Sequence, residues 1–297
     1  MTLADRSSIC PIVDRYLLDC MDCNGDLSTM ASQPAGFEYI ITEVKDGIGR
    51  LTLNRPEVLN ALHQPMMGEI IEAVSAFETD DQVRVMLIDD AGRGFSASGD
   101  FRFLESMTQM TPFEVKGEVY SFFATGIKAI KLFAKPTVAA VNGPATGAGF
   151  EIALACDFRI AGEGALFIQS WINLGLISLL GGMYLLPRLI GLNKANEMLM
   201  LGTPVRGAEA AQIGLVNETV ANEELAERAW ALAAQLAAGP PLGLRAMKEG
   251  IRRGMESTLA SEWEHNVYVQ SMLLNTQDYK QAVEALRERR KPTFEGR

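Results

Sequence analysis

The segment from Asn142 to Glu151 combines backbone donors with a carboxylate, and those groups together could do chemistry on a carbonyl. It reads Asn-Gly-Pro-Ala-Thr-Gly-Ala-Gly-Phe-Glu, follows an apolar strand-like run and opens an apolar helix-like one. A glycine-rich turn at a helix start leaves N–H groups without intrahelical partners, and such groups attract negative charge. Because Glu151 comes just beyond them, the segment suits reactions in which a carbonyl becomes negatively charged.

A second loop, from Gly94 to Phe101, reads Gly-Phe-Ser-Ala-Ser-Gly-Asp-Phe. Both loops follow buried-strand patterns, and binding loops of layered α/β proteins gather at the carboxyl ends of strands. For either loop alone, tight backbone packing is a sufficient explanation of the glycines. As a pair they are more specific, because one N–H group from each could converge on a thioester oxygen and stabilise an enolate. We expect Asp100 to N-cap the next helix rather than to act in catalysis.

The elements that must position these loops alternate between strand and helix patterns. Residues 39–44 and 48–53 predict a hairpin around an Asp-Gly turn, and the apolar runs 83–90 and 136–141 predict the buried strands that lead into the two loops. Further patterns predict helices over 66–77, 113–133 and 149–155, strands over 158–161 and 166–168, and late helices over 223–238, 241–254 and 259–286. This succession is typical of the α/β class with a parallel sheet.

Residues 1–35 lack periodicity and predict a flexible leader, with Met30 as an alternative translation start. Cys20 and Cys23 form a Cys-x-x-Cys in this leader. No second ligand pair accompanies them, which argues against a metal site, and incidental thiols are favoured over a redox pair. Cys156 lies in an apolar run and is interpreted as a small core residue.

The overall composition narrows the class of partner. A net charge of −10 argues against general affinity for nucleic acid, which needs a basic face. The chain has neither an apolar window of the roughly 18 residues that a membrane span needs nor a signal-peptide pattern, so we expect a soluble, cytoplasmic protein with no membrane partner. A basic run at 287–291 suits a solvated helix end or a small anionic ligand.

From about Phe37 to Arg297 the chain resembles the crotonase superfamily, the enoyl-CoA hydratase/isomerase family. Besides the two loops, the resemblance rests on Leu-Asn-Arg-Pro at 53–56, Leu-Asn-Ala-Leu at 59–62, Ala-Leu-Ala-Cys-Asp-Phe-Arg-Ile-Ala at 153–161, Leu-Gly-Leu at 174–176, Gly-Gly at 181–182, Ala-Ala-Gln-Ile-Gly-Leu-Val-Asn at 210–217 and Arg-Arg-Lys-Pro-Thr-Phe at 289–294. It implies a ββα spiral core over 36–230 and a C-terminal helical region over 231–297 that mediates trimer or dimer-of-trimers assembly.

The resemblance also implies roles for residues of both loops. Gly99 and Ala148 would supply the two oxyanion N–H groups, and Glu151 would stand where hydratases hold and activate water. CoA enters as part of an acyl-CoA substrate, and no separate cofactor is implied. Candidates for contacting CoA are Ala97 (the adenine), Ser98, Asp100, and Lys291 and Phe294 in the basic tail, which in this family often acts across a subunit boundary.

The chain departs from the hydratase pattern at the second acid. The position of the second hydratase glutamate aligns with Trp171, and the acid position of some isomerases aligns with Leu179. Trp171, Leu179 and Phe101 are candidate acyl-pocket residues, although Trp171 also suits simple core filling. Glu105, Glu114 and Glu118 follow the first loop and offer replacement acids, but charged residues on a helix are usually solvated. His63 and His265 are not candidate bases.

One carboxylate restricts the reaction, because hydration usually shares a base and an acid between two groups. The leading hypothesis is an enoyl-CoA hydratase that stabilises an enolate. An enoyl-CoA isomerase is the nearest alternative, followed by an acyl-CoA hydrolase or decarboxylase. A catalytically silent acyl-CoA-binding homologue is the hypothesis from another class.

Overall fold

The computed structural model describes residues 36–297. These residues contain a six-stranded sheet against which the other elements pack. The strands lie in the order β1 (Ile40–Lys45), β2 (Ile48–Leu53), β3 (Val85–Asp90), β4 (Thr137–Val141), β6 (Phe158–Gly162) and β9 (Glu218–Val220). The predicted hairpin of β1 and β2 is antiparallel, and every later pair is parallel. The predicted leader, with Met30, Cys20 and Cys23, lies outside the described residues.

A smaller sheet contains β5 (Pro144–Thr146), β7 (Leu166–Ile168) and β8 (Val205–Arg206). β5 pairs in parallel with β7, and β7 pairs antiparallel with β8. The segment 144–146, which the sequence analysis treated as part of a turn, is therefore a short strand. It continues directly into the next helix and fixes where that helix starts.

Twelve α-helices and one π-helical segment cover the strands of the described chain. They are α1 (Gln64–Thr79), α2 (Phe101–Met107), α3 (Pro112–Glu118), α4 (Thr125–Leu132), α5 (Gly147–Ala155), α6 (Gly182–Ile190), α7 (Leu192–Leu201), α8 (Gly207–Gln212), α9 (Leu225–Ala237), α10 (Pro241–Gly254), α11 (Leu259–Leu273) and, after a break, α12 (Gln277–Glu288), with a π-helical segment (Val119–Ala124) between α3 and α4 as the remaining one. No helix among residues 36–297 is long and apolar enough to cross a membrane.

Two predicted helices are divided in the structure. The predicted helix over 259–286 ends at α11, because the Thr276 side chain accepts a hydrogen bond from the Tyr279 N–H at 3.1 Å and caps a new helix. The predicted helical region over 113–133 changes from α to π geometry at Val119 and returns to α at Thr125. The predicted division into a core over 36–230 and a helical region over 231–297 stays a prediction.

The parallel strands are apolar on both faces because each face has its own core. In β3, Met86 and Ile88 belong to one apolar cluster, and Val85 and Leu87 belong to the other. Alternation along a strand sends successive side chains to opposite faces, which explains the continuous apolar runs. The second cluster is completed by α9. Apolar clusters thus pack on both faces of the sheet. The loops that follow β3 and β4 lie at the same end of the sheet, where the carboxyl ends of these strands meet.

Candidate active site

The two predicted loops lie side by side. The Ser96 N–H donates to the carbonyl of Pro144 at 3.0 Å, and the Thr146 N–H donates to the carbonyl of Ser96 at 2.9 Å. This contact follows from the sheet, because β3 and β4 are parallel neighbours and their carboxyl ends share one edge. The expectation that the loops meet is confirmed.

A polar brace under the first loop was not assigned in the sequence analysis. The fully buried Asn60 amide donates to the carbonyls of Ala91 at 3.0 Å and Gly94 at 2.9 Å, and its Oδ1 accepts from the Arg55 N–H at 2.7 Å. The Arg55 guanidinium lies 3.1 Å from the Asp100 carboxylate. The brace fixes both ends of the loop, which explains the Asn-Arg-Pro and Leu-Asn segments noted as sequence motifs.

Asp100 caps the helix that follows the loop, as expected. Its Oδ1 accepts a hydrogen bond from the Arg102 N–H at 3.0 Å at the start of α2. Its other carboxylate oxygen faces Arg55. Both interactions stabilise the loop, so a structural role accounts for this side chain.

The candidate oxyanion donors lie on opposite sides of this loop contact. The Gly99 N–H has no hydrogen-bond acceptor among residues 36–297, and the Ala148 N–H faces the Ser98 hydroxyl oxygen at 3.3 Å. Ala148 is the second residue of α5, where backbone donors lack intrahelical partners. Gly147 needs to be glycine, because it has a φ of +44° and a Cβ there would overlap the Ser98 hydroxyl.

Ser98 itself has a φ of +80°, a left-handed conformation that costs a residue with a Cβ about 1–2 kcal/mol. The serine therefore stores backbone strain beside the Ala148 donor, and its hydroxyl occupies the place nearest to that N–H group.

Glu151 lies one helical turn beyond Ala148 and is almost completely buried. Its Oε1 accepts hydrogen bonds from the Ser178 hydroxyl and from the Gly182 N–H at 3.0 Å, and its Oε2 accepts from the Leu180 N–H at 3.0 Å. Burial raises the pKa of Glu151 to about 7, while the donors of Ser178, Gly182 and Leu180, and the Gln169 side chain, act in the opposite direction. A carboxyl group with this pKa can take and return a proton near neutral pH.

The turn before α6 approaches Glu151 closely because Gly182 has no side chain. A Cβ at Gly182 would come 2.7 Å from Glu151 Oε1 and 2.7 Å from the side-chain nitrogen of Gln169. It would also overlap the Ser178 hydroxyl. Neither Gln169 nor Ser178 was predicted to contact Glu151, since both are separated from it by more than a full strand and turn of chain.

The far end of α5 is held by a buried arginine. Arg159 Nη1 donates to the carbonyls of Cys156 at 2.6 Å and Ala153 at 3.3 Å, and its Nε donates to the carbonyl of Leu215 at 2.8 Å. A cation at a helix C-terminus satisfies carbonyls that the helix leaves free. Burial raises the pKa of the Cys156 thiol to about 12, which fits the interpretation of Cys156 as a core residue.

The candidate pocket residues have unequal exposure. Trp171 is 6% exposed and belongs to the large apolar core, and its indole Nε1 has no hydrogen-bond partner among the described residues. Leu179 is 41% exposed and Phe101 is 59% exposed. All three roles as acyl-pocket residues stay predictions.

The replacement acids named from the sequence are engaged elsewhere or exposed to solvent. Glu114 forms a capping box with Thr111 at the start of α3, and Glu118 accepts a hydrogen bond from Gln64. Glu105 is exposed. Besides Glu151, the buried acidic residues of the described chain are Glu262 and Asp278, both on C-terminal helices.

The two CoA-binding candidates in the C-terminal tail, Lys291 and Phe294, lie towards the end of β3 that is opposite to the first loop. Arg84, just before β3, donates to the carbonyl of Phe294 at 3.0 Å, while the loop of Gly99 follows the other end of that strand. Lys291 is exposed. Within one protomer the tail and the loop are therefore at different ends of β3.

Comparisons with known proteins place this geometry in a family. The family model for enoyl-CoA hydratase/isomerase matches residues 43–297. The chain is 34% identical to a 1,2-epoxyphenylacetyl-CoA isomerase of Escherichia coli (strain K12) over 88% of this chain and 99% of the relative. It is 34% identical to a crotonyl-CoA hydratase of Syntrophomonas wolfei over 87% of this chain and 98% of the relative.

Solved structures agree with the sequence relatives. An enoyl-CoA hydratase from Polaromonas sp. JS666 superposes with a TM-score of 0.82 at 30% identity, covering 86% of this chain and 99% of that one. The expected crotonase-like α/β fold is thereby confirmed.

Proposed function

The chain belongs to the enoyl-CoA hydratase/isomerase family and is an enzyme of the lyase or isomerase type, and on this premise we propose that it is an enoyl-CoA hydratase in which Glu151 activates water. The observation that carries the proposal is the position of Glu151, buried on α5 one turn after the Ala148 donor and with a pKa of about 7. The N–H groups of Gly99 and Ala148 stabilise the thioester enolate.

Each step of the proposed reaction uses one of these groups. The thioester oxygen binds between the two N–H donors, which need no reorganisation as negative charge grows on it. Glu151 takes a proton from water as the oxygen adds to the β-carbon, and it returns a proton to the α-carbon. Because Glu151 is the carboxylate at this site, it performs both transfers.

An isomerase is the second candidate, and a specific observation favours it. The resemblance aligns Trp171 with the second hydratase acid, and the buried acids other than Glu151 lie on the C-terminal helices of the described chain. A single carboxylate can move one proton from the α-carbon to the γ-carbon without water. A hydrolase or decarboxylase would need water or carboxylate chemistry at the same enolate site.

A panel of short, branched and aromatic enoyl-CoAs, followed by mass spectrometry, separates these reactions. Addition of water identifies the hydratase, a moved double bond without mass change identifies the isomerase, and loss of carbon dioxide or free CoA identifies the others. Glu151→Gln should lower kcat about 10²–10⁴-fold with CoA binding retained. The exposed Glu105→Gln is the matched control. Unchanged turnover in Glu151→Gln would refute the role of Glu151.

We extend the proposal to the CoA portion of the substrate and to assembly. Ala97, Ser98 and Asp100 line the loop proposed to meet the adenine, and Lys291 and Phe294 reach CoA from a neighbouring subunit, since they lie at the other end of β3 in their own. Exposed apolar side chains on α11 support a homotrimer or dimer of trimers, among them Trp263, Val267 and Met272. Light scattering tests the assembly, and a cytoplasmic location stays a prediction for cell fractionation.

A further inference from the structure

Gln169 carries a buried amide that the protein leaves unsatisfied. Its side chain is 1% exposed, and neither Nε2 nor Oε1 makes a hydrogen bond of normal length and angle among residues 36–297. The amide is nevertheless close enough to Glu151 to lower the pKa of that carboxyl group. A buried polar group without a partner destabilises the folded protein, and such groups are normally bonded to protein or to ordered water. A small polar molecule at this place would remove that destabilisation.

The unsatisfied amide lies beside the proposed catalytic carboxylate. The Gln169 nitrogen and Glu151 Oε1 are each 2.7 Å from the point that a Cβ on Gly182 would occupy. The missing side chain of Gly182 therefore keeps the amide and the carboxylate in one shared space. The two groups reach that space from separate elements: Glu151 belongs to α5, and Gln169 is the residue that directly follows β7.

The remaining hydrogen-bond capacity of Glu151 matches this arrangement. An ionised carboxylate offers about four acceptor sites. Three are used by the Ser178 hydroxyl and the N–H groups of Leu180 and Gly182. About one acceptor site is left, and the Gln169 amide is the remaining donor group that acts on this carboxylate. That arrangement suits a single O–H donor held between the two side chains.

We propose that the Gln169 side chain binds the reacting water, donating its N–H to the water oxygen while that water donates one proton to Glu151. The proposal rests on the hydratase function proposed above. It gives the neutral amide part of the task that a second carboxyl group performs in two-acid hydratases: the amide orients the water but supplies no proton.

The chemical step balances with these groups alone. The water oxygen forms a bond to the β-carbon, its proton passes to Glu151, and the π electrons move onto the thioester oxygen as an enolate. The enolate then takes the proton from Glu151 at its α-carbon, and the thioester carbonyl is restored. The net change is the addition of H and OH across the double bond, with Glu151 ionised again at the end.

Two substitutions of Gln169 test this role against a purely structural one. Gln169→Met keeps a similar volume without a donor and should lower kcat for hydration about 10–100-fold. Exchange of the α-proton of a saturated acyl-CoA with D₂O, which needs Glu151 and the oxyanion donors but no added water oxygen, should stay within about 3-fold. Gln169→Glu donates only when protonated, so its hydration rate should fall as pH rises through the pKa of the new carboxyl group. The exposed Gln212→Met is the control.

The outcomes separate this role from the proposed function. If Gln169→Met hydrates the substrate at the wild-type rate, the role of Gln169 is overturned, while Glu151 remains the base. Equal loss of hydration and exchange in Gln169→Met also overturns it, because a merely structural defect would produce that pattern. A wild-type enzyme that exchanges the α-proton but adds no water to any enoyl-CoA refutes the hydratase function itself, and the water-binding role with it.

Discussion

The donor side and the carboxylate side of the site are built in opposite ways. The donors of Gly99 and Ala148 are backbone groups fixed by the sheet and by the start of α5, and they have no strong acceptor among the described residues. Glu151, three residues after Ala148, is a side chain already surrounded by three donors from the 178–182 turn. Backbone donors do not titrate, whereas a buried carboxyl group does. The difference predicts that pH acts on one side of the site only.

The largest expected effect comes from a substitution that disturbs both sides at once. A Cβ at Gly149 would overlap the Ser96 side chain, so Gly149→Ala forces α5 away from the first loop. A displacement of about 1 Å can cost a factor of about 100 in rate, and overpacking costs about 1–3 kcal/mol of stability. We expect both losses in turnover assays and denaturant unfolding. Gly117→Ala, with no atom within 4 Å of the new Cβ, should cause neither.

The carboxylate side should carry a pH-dependent stability cost. Burial raises the pKa of Glu151 from its ordinary value of 4.5 to about 7, so between these values the folded protein binds more protons than the unfolded chain. Stability therefore falls as pH rises through this window, by at most about 3 kcal/mol from this group.

Unfolding free energies of wild type and Glu151→Gln at several pH values check this cost. The gap between the two curves should change between pH 4.5 and 7 and be constant outside that window. Burial also raises the pKa of Asp90 to about 7, so Asp90→Asn is the control that retains the contribution of Glu151. Parallel curves for wild type and Glu151→Gln would contradict the prediction.

Ser178→Ala should have an intermediate effect, confined to the carboxylate side. The Ser178 hydroxyl lowers the pKa of Glu151, so its removal raises that pKa. The acid limb of the kcat/KM profile, which follows ionisation of Glu151, should move to higher pH by about one unit. Activity at pH 7 should fall about 5-fold and recover at pH 9, because at pH 9 the carboxyl group is ionised in both proteins. A loss that is equal at all pH values would point to misplacement of Glu151 instead.

Ser98→Gly should have the smallest effect, confined to the donor side. It removes the hydroxyl from the Ala148 N–H and relieves a strained φ of +80°. We expect kcat/KM to rise about 3-fold with an unchanged pH profile. Ser98→Ala separates the two causes, since it removes the hydroxyl but keeps the strain. A shift of the pH profile in either variant would contradict the prediction, because it would show that the donor side affects the titration of Glu151.

The parts of the fold that the sequence predicted are those with local signals. Continuous apolar runs predicted β3 and β4, and an aspartate before an apolar segment predicted the cap at Asp100. The break at Thr276 was missed because no glycine or proline marks it, and only its side-chain hydrogen bond to the Tyr279 N–H shows the new helix start.

The environment of Glu151 was not predictable in the same way. Ser178 and Gly182 come to it from 27 and 31 residues along the chain, and their approach depends on tertiary packing rather than on periodicity. The glycine pair at 181–182 was noted as a motif, but no local pattern indicates that a serine hydroxyl and a glutamine amide share its space. The family resemblance indicated which carboxylate to examine, and the structure supplied its partners.

The arginine at the far end of α5 has a consequence for how the site opens. Because Arg159 binds the carbonyls of Ala153 and Cys156 and is itself held by the carbonyl of Leu215, this helix cannot fray from its C-terminus without breaking two buried hydrogen bonds. In hydrogen-exchange terms, its amides should be among the slowest of the chain, opening only with the whole domain. The catalytic helix is therefore the fixed frame of the site, and any movement that admits a substrate is expected in segments held less tightly than α5.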